Sequence, residues 1–277
     1  MTIWNAIILG LVQGLTEFLP ISSSGHLSIM TNLFDVNSTE GGYMFFTVLL
    51  NIGSFLALIL LYWQDIKKMA IELLALVNLG PMAGVQKQRY PAARMFFMIF
   101  IASIPLFFIL PLRKKLSTLY FNNIFIAISI ILTGCMLFVS DKMKEGNKGG
   151  GNMTVLDAII IGLCQCAAAV PGLSRPATTI TAGIATGLKR TFAVRFAFLL
   201  SVPVMFGMNI LNLIDSIKMG IDTSILPACF VGMLVSMLAG IVAILVVRYL
   251  AQKGKLGTFA YYCWVMGVLS IILTLIF

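Results

Sequence analysis

Long uncharged apolar runs are the feature of this sequence that most limits its fold. Residues 43–63 and 226–247 each exceed the length of about 18 residues that crosses a bilayer as an α-helix. Of all 277 residues, 60% are hydrophobic and only 10% are charged, whereas soluble domains carry about a quarter. The sequence therefore predicts a helical protein that crosses a membrane several times, inserted by its own spans without a cleavable signal peptide.

The apolar segments fall into two kinds. Two stretches, residues 1–34 and 153–188, are interrupted by Pro, Gly and clusters of Ser and Thr. Broken backbone at membrane depth is tolerated only inside protein or beside a water-filled cavity, so we predict both as re-entrant helical hairpins. The remaining segments are predicted as six full transmembrane helices, at residues 43–63, 95–112, 122–140, 196–214, 226–247 and 258–277.

The distribution of Lys and Arg predicts which loops face the cytoplasm. Placing residues 64–94 inside leaves only Arg113, Lys114, Lys115 and Lys218 outside, apart from Arg175 within a hairpin. The net charge of +9 then suits loops that face an anionic leaflet. Nucleic-acid binding is not expected, because the basic residues are scattered among short loops.

The same topology gives the chain an internal symmetry. Each hairpin precedes three spans, and the two hairpins enter from opposite sides, as in an inverted-topology repeat with a shared site near the midplane. Gly10 precedes Ser22 by the same offset that separates Gly162 from Ser174. We predict an all-α polytopic membrane protein with one integral domain, residues 1–277, comprising repeat one at about 1–141, a cytoplasmic loop at 142–152 and repeat two at about 153–277.

Few ionisable residues remain at membrane depth. They are Glu17, His26, Asp157 and Arg175, and each calls for a functional hypothesis because a charge there is costly. All but Asp157 lie close to the hairpin breaks. Asp157, near the start of the second hairpin, is interpreted as an interfacial or N-terminal helix charge.

The first hairpin carries groups suited to nucleophilic catalysis. Gln13 and Glu17 are four residues apart and therefore share one helix face, and Pro20 ends that helix. His26 lies three residues beyond Ser23, so its imidazole can return over that hydroxyl if a helix starts there. A serine beside a neutral imidazole can act as a nucleophile, and a carboxylate can hold a divalent cation.

The second hairpin carries a cation suited to phosphate. The guanidinium of Arg175 offers a fork of donors that matches phosphate oxygens, and helix N-termini around the break add backbone donors. Serine, histidine, carboxylate and arginine meeting at one place are the groups that phosphoryl transfer requires. Three structural interpretations stay open: Ser22 and Ser24 as helix N-caps, His26 as a packing residue, and Arg175 as an ion-pair partner of Glu17.

The two hairpins resemble the undecaprenyl-diphosphate phosphatase family of bacterial membranes, also known for bacitracin resistance. The family's first signature is similar to the run from Gln13 and Glu17 through Pro20 to residues 22–26. Further likeness runs through residues 51–54 and 196–203. The second signature is similar to the run formed by Pro171, Gly172, Ser174, Arg175 and Thr179.

The resemblance implies cleavage of undecaprenyl diphosphate to the monophosphate and inorganic phosphate, which recycles the lipid carrier of cell-wall precursors. It also implies a requirement for Mg²⁺ or Ca²⁺ and an active site on the extracytoplasmic side of the bacterial plasma membrane. By the resemblance, Ser23 is the nucleophile, His26 its base or proton shuttle, and Arg175 the clamp on the diphosphate. Glu17 would hold the metal or a water, and Ser174 and Thr179 would hydrogen-bond the diphosphate.

The remaining site residues are expected around the two breaks. Gln13 stands where the family often has a second Glu, so it is a weaker candidate metal ligand, and Pro176 replaces the usual Ser after Arg175. The expected substrate contacts are Gln13, Ser22, Ser24, Gly25, Gly172, Ser174, Thr178 and Thr179.

Two other functions share features with this sequence. Residues 24–26 and 174–176 resemble fragments of the type 2 phosphatidate phosphatases, but those enzymes use two histidines and this chain has one. A non-enzymatic transporter or flippase of a polyprenyl phosphate lipid is the serious alternative, because inverted repeats with broken helices are a transporter architecture. The spacing of Ser23 and His26 beside a carboxylate favours the enzyme. The oligomeric state stays open, with a homodimer as one alternative.

Overall fold

The computed structural model describes residues 2–27, 41–79, 90–112, 115–116, 119, 122–220 and 223–276. This part of the chain is almost entirely α-helical, and a short helical segment at residues 23–27 follows the first helix. The helices are α1 (Ile3–Phe18), α2 (Gly41–Leu76), α3 (Pro91–Phe107), α4 (Asn123–Lys142), α5 (Val155–Ala167), α6 (Arg175–Ala185), α7 (Arg190–Met219), α8 (Leu226–Gln252) and α9 (Thr258–Ile276).

Helices α2, α4, α7, α8 and α9 are long and apolar enough to cross a membrane, which confirms five of the predicted spans. The segment predicted at residues 95–112 is the 17-residue helix α3, roughly 25 Å long at 1.5 Å per residue. It ends at Phe107, just after Pro105, and a short 3₁₀ turn follows at Leu110–Leu112. Helix α2 continues to Leu76, so the first part of the loop predicted at 64–94 is helical.

Both interrupted stretches are helix–break–helix units in the described residues. After α1 the chain is extended at Leu19, because the following Pro20 disfavours helical backbone in the residue before it. Between α5 and α6 the chain turns at Gly172, whose φ of +87° lies in the left-handed region that glycine accepts most readily. Residues 28–34 of the first predicted hairpin lie outside the described residues.

The short first helix of each unit packs against a helix of the other half of the chain. Helix α1 packs against α8, and α5 packs against α3. Glycine makes both contacts close: a Cβ at Gly10 would overlap the carbonyl oxygen of Gly232, and one at Gly162 would overlap that of Ala102. The other main pairings are α2 with α8, α4 with α9, and α2 with α7.

One end of the bundle is held by charged side chains around residues 143–154, which connect α4 to α5. Arg94 donates to the carbonyl oxygens of Gly151 and Met153 at 2.8 and 2.7 Å. Arg190 binds Asp141 at 3.1 Å and so joins the start of α7 to the end of α4. The predicted cytoplasmic loop is therefore a packed connection in the structure.

Asp157 belongs to this end as well. Its carboxylate and Thr154 form a capping box at the start of α5, and Lys148 binds the same carboxylate at 2.9 Å. A carboxylate in the first turn complements the positive end of the helix dipole. The interpretation of Asp157 as an N-terminal helix charge is confirmed.

Candidate active site

A polar cavity of about 220 Å³ lies where the two helix breaks meet. Its wall combines residues of both hairpins with residues of α2 and α7. The predicted site residues that line it are Gln13, Glu17, Ser23, Ser24, Ser174 and Arg175. Two hairpins far apart in sequence therefore contribute to one cavity.

The carboxylate of this cavity is held by an amide network. Gln13 Nε2 donates to Glu17 Oε2 at 3.2 Å and to Asn51 Oδ1 at 2.7 Å, so the shared helix face is confirmed. Asn51 Nδ2 in turn donates to the carbonyl oxygen of Thr47 at 3.0 Å. Gln13 Oε1 is buried and has no hydrogen-bond partner among the described residues, which is a costly state that a ligand or water would relieve.

Arg175 lies on the other side of the carboxylate. Its Nη1 is 3.8 Å from Glu17 Oε1, an ion-pair distance that is too long for a hydrogen bond. Both side chains line the cavity and are partly exposed. The ion-pair interpretation of Arg175 is therefore confirmed. Because the pair is loose, the guanidinium keeps donors for an anion, and its role as a phosphate clamp stays a prediction.

The three consecutive serines have different environments. Ser22 has a φ of 74°, and its hydroxyl accepts from Gly25 N at 3.4 Å, as a helix N-cap does. Ser24 Oγ lies 3.4 Å from Ser22 Oγ and accepts from Gly172 N at 3.3 Å, which joins the two hairpins. Ser23 and Ser24 both line the cavity, whereas Ser22 does not.

Contrary to the prediction, both ring nitrogens of His26 contact groups other than the hydroxyl of Ser23. Its Nδ1 lies 2.8 Å from the carbonyl oxygen of Ser22, which only accepts, so Nδ1 carries the hydrogen. Its Nε2 lies 2.7 Å from the hydroxyl of Tyr262, and the two rings stack at 5.6 Å. In the neutral ring Nε2 is the only acceptor, and the hydroxyl of Tyr262 occupies it.

Several predicted substrate contacts lie outside the cavity wall. The hydroxyls of Thr178 and Thr179 donate at 2.8 Å to the carbonyl oxygens of Ser174 and Arg175 on their own helix. A hydroxyl inside a helix often bonds back in this way because a carbonyl one turn earlier is within reach. Gly25 and Gly172 instead serve packing, since a Cβ at either position would collide with residues of α4.

The start of α6 explains how Pro176 is accommodated. Ser174 caps the helix, with its Oγ accepting from Ala177 N at 3.3 Å, and its own N–H donates to Thr133 Oγ1 at 3.2 Å. Pro176 lies in the first helical turn, where the missing N–H would have no intrahelical partner. A proline in place of the usual Ser therefore fits the helix, and Pro176 forms part of the cavity wall.

Sequence reasoning did not assign roles to Tyr262, Asn51, Asn209 or Asn212. The three asparagines line the cavity, and Asn209 Nδ2 is buried without a partner among the described residues. Asparagine within an otherwise apolar span was a signal that could have found them. No comparable signal marked Tyr262, since tyrosine is common at membrane interfaces.

The cavity has oxygen donors for a hard cation. Within the described ranges no three His, Cys, Asp or Glu side chains cluster closely enough to hold a metal. The carboxylate of Glu17 and the unpartnered Oε1 of Gln13 nevertheless match the oxygen ligands of Mg²⁺ and Ca²⁺. Because Mg²⁺ commonly takes one or two protein carboxylates together with substrate phosphates, these residues fit a cation shared with a diphosphate.

The fold and the cavity define a multi-pass α-helical membrane protein with a polar site between two broken helices. The chain belongs to the bacitracin resistance protein BacA family, whose model matches residues 6–269. It is 35% identical over 279 residues to the undecaprenyl-diphosphatase of Alkaliphilus metalliredigens, covering all of both chains. It is 33% identical to that of Halothermothrix orenii over all of both chains. The undecaprenyl-diphosphatase 1 of Shouchella clausii is 37% identical, over 98% of this chain and 96% of that protein.

Proposed function

We propose that this protein is a membrane phosphatase that hydrolyses undecaprenyl diphosphate to undecaprenyl phosphate and inorganic phosphate, recycling the cell-wall lipid carrier. The observation that carries the proposal is that Ser23 and Arg175, from different hairpins, line one cavity with Glu17. A nucleophile, an anion-binding guanidinium and a carboxylate around one cavity are the groups this hydrolysis needs. It is also supported by the full-length relatives that are named undecaprenyl-diphosphatases.

In this proposal Arg175 binds the terminal phosphate, and Asn209 Nδ2 adds a donor. Ser23 Oγ attacks the terminal phosphorus, the bond from that phosphorus to the bridging oxygen breaks, and undecaprenyl phosphate leaves. Water then cleaves the phosphoserine and releases inorganic phosphate. A positioned nucleophile and preorganised donors lower the barrier by orientation and charge stabilisation.

His26 would receive the proton of Ser23 at Nε2, because Nδ1 is committed to the carbonyl of Ser22. For that step the hydroxyl of Tyr262 must leave Nε2, so substrate binding would separate the pair. Glu17 and Gln13 Oε1 would hold Mg²⁺ or Ca²⁺, and such a cation supplies charge stabilisation on the phosphate oxygens when bound.

An apolar cavity next to the site suits the hydrocarbon chain of such a lipid. It has a volume of about 120 Å³ and lies between α3 and α7, where Phe107 and Pro203 form part of its wall. Met208 lines both this cavity and the polar one. A lipid whose diphosphate lies in the polar cavity could therefore extend its hydrocarbon chain into the apolar cavity without crossing a polar surface.

We further propose the inverted-topology repeat of six spans and two re-entrant hairpins. Its support is the matched packing of α1 on α8 and of α5 on α3, each through a glycine at the equivalent repeat position, Gly10 and Gly162. The basic end of the bundle around Arg94 and Arg190 supports a cytoplasmic position for that end. The active site would then face the extracytoplasmic side of the bacterial plasma membrane.

The alternative function is a non-enzymatic transporter or flippase of a polyprenyl phosphate lipid. Its support is the pair of broken helices around one polar cavity, an arrangement that transporters use. A transporter would bind the lipid through Arg175 without needing the hydroxyl of Ser23. The two functions therefore differ in whether the bound diphosphate is cleaved.

The deciding experiment measures phosphate release from undecaprenyl diphosphate by the purified protein, with and without EDTA. We expect multiple-turnover release that EDTA abolishes and added Mg²⁺ or Ca²⁺ restores. Binding of the lipid without release would reject the phosphatase in favour of the transporter. The homodimer stays a prediction, and light scattering of the detergent-solubilised protein would test it.

A further inference from the structure

A second polar cavity, of about 490 Å³, lies on the same two helices as the first but farther along them. Tyr62 and Asp65 of α2, Arg195 of α7 and Arg248 of α8 contribute to its wall. Along α2, Tyr62 is roughly 16 Å from Asn51 of the first cavity at 1.5 Å per residue. The two cavities are therefore separate.

The packing of α2 on α7 confirms this separation. Phe55 contacts Phe206, and farther along Tyr62 contacts Phe198, so the two helices run antiparallel. Phe198 also contacts Phe18, the neighbour of Glu17, with ring centroids 5.8 Å apart. An aromatic layer thus lies between the first cavity and the second.

Two side chains in the wall of the second cavity have hydrogen-bond donors without an acceptor among the described residues. The hydroxyl of Tyr62 is buried, with the residue only 3% exposed, and it has no hydrogen-bond partner among the described residues. The guanidinium of Arg248 stacks over the Tyr62 ring at 5.7 Å. Within the described residues Arg248 makes no hydrogen bond or ion pair, so its donors are free. A buried hydroxyl without a partner calls for a ligand or a water.

The charges around this cavity favour an anion. Arg195 is already paired with Asp65 through two donors, so those charges cancel and Arg248 leaves a net positive charge. The hydroxyl of Tyr62 and the guanidinium of Arg248 both donate, and phosphate oxygens accept several such bonds. Tyr62 and Arg248 therefore face the ligand with donors and a positive charge.

We propose that this cavity is a second binding site, for the phosphate group of a monoester or for free phosphate, distinct from the hydrolytic site. It goes beyond the proposed function, because Tyr62 and Arg248 take no part in the hydrolysis. The phosphate would form charge-assisted hydrogen bonds with the Arg248 guanidinium and accept a hydrogen bond from the Tyr62 hydroxyl.

The test counts phosphate-binding equivalents of the purified full-length protein by equilibrium dialysis at constant ionic strength, with inorganic phosphate and with geranyl monophosphate as probes. We expect Arg248→Gln to lose one equivalent, or at least about ten-fold in affinity for it, because charge-assisted bonds are lost. Tyr62→Phe should weaken the same equivalent. The matched control is Lys68→Gln, which removes the same charge from an exposed position on α2 and should bind like the wild type.

Phosphate release from the diphosphate substrate should stay within about three-fold of wild type in Arg248→Gln and Tyr62→Phe, since neither residue lines the hydrolytic cavity. If Arg248→Gln loses one binding equivalent with both probes, the site recognises the phosphate group by itself. If it loses the equivalent only with geranyl monophosphate, the ligand is a lipid phosphate. Equal binding by Arg248→Gln and Lys68→Gln with both probes would overturn the proposal. Thermal melting of each variant shows that the fold is kept.

Discussion

The imidazole Nε2 of His26 lies 2.7 Å from the hydroxyl of Tyr262, although the two residues are 236 positions apart in the chain. The contact joins the first helix break to the last helix, α9. It leaves the acceptor nitrogen of a proposed base occupied by a phenol in the structure described. The imidazole is thereby oriented on both sides, by the Ser22 carbonyl at Nδ1 and by Tyr262 at Nε2.

Removing the hydroxyl of Tyr262 should change phosphate release only modestly. We expect Tyr262→Phe to keep kcat within about five-fold of wild type, because the hydrogen bond to Nε2, worth about 1 kcal/mol, must break before that nitrogen accepts a proton, while the ring stack remains. His26→Ala should be almost inactive. The matched control is Tyr261→Phe, whose ring contacts Trp264 instead. A Tyr262→Phe protein as inactive as His26→Ala would mean that the hydroxyl itself takes part in the reaction.

The hydroxyl of Ser23 should be indispensable if it is the nucleophile. Ser23→Ala is expected to keep less than about a tenth of the phosphate release, since no other group would form the covalent intermediate. Ser201→Ala is the control: its hydroxyl is buried on α7 and bonds to the carbonyl of Ala197 on its own helix. Retention of more than a tenth of the activity by Ser23→Ala would remove Ser23 as the nucleophile.

Replacing Arg175 by lysine should keep the charge and lose the fork of donors. We expect Arg175→Lys to lower kcat/KM at least about 10-fold, from about 1–3 kcal/mol of lost charge-assisted bonding. Arg94→Lys makes the same change at a structural position, where the donors bind carbonyl oxygens, and should affect stability and not kcat/KM. Wild-type rates for Arg175→Lys would leave Arg175 only its ion pair with Glu17.

A second carboxylate next to Glu17 should strengthen the dependence on a divalent cation. In Gln13→Glu the amide that now donates to Glu17 becomes an anion, and two adjacent carboxylates repel unless a cation lies between them. A titration of phosphate release against Mg²⁺ should show half-saturation at a lower concentration. Gln64→Glu, at an exposed position on α2, is the control. An unchanged titration would reject a cation at Gln13 and Glu17.

The glycines between paired helices should be sensitive to an added methyl group. Gly10→Ala and Gly162→Ala should each destabilise the protein by about 1–3 kcal/mol, because the new Cβ would overlap a carbonyl oxygen of the facing helix. Gly207→Ala on α7 meets open space and should be neutral or slightly stabilising. Melting temperatures in detergent measure the difference. Equal melting of all three variants would contradict the close packing.

Much of the architecture could be predicted from local sequence. Apolar length predicted five of the spans, and Pro20 marked the first break because proline restricts its own backbone and that of the residue before it. The spacing of Gln13 and Glu17 predicted their shared face, since helix geometry brings residues four apart together. The length of α3 was predicted less well, because apolar residues continue beyond the point where the helix ends.

The sequence by itself determined that the chain is helical, where its helices break, and which ionisable groups lie at the breaks. These properties depend on apolar area and on backbone sterics, which act over a few residues. Only the tertiary structure decided that the hydroxyl of Tyr262 binds Nε2 of His26 and that Asn209 lines the cavity. Such partners depend on how distant helices pack, and packing sums many weak contacts that no local pattern records.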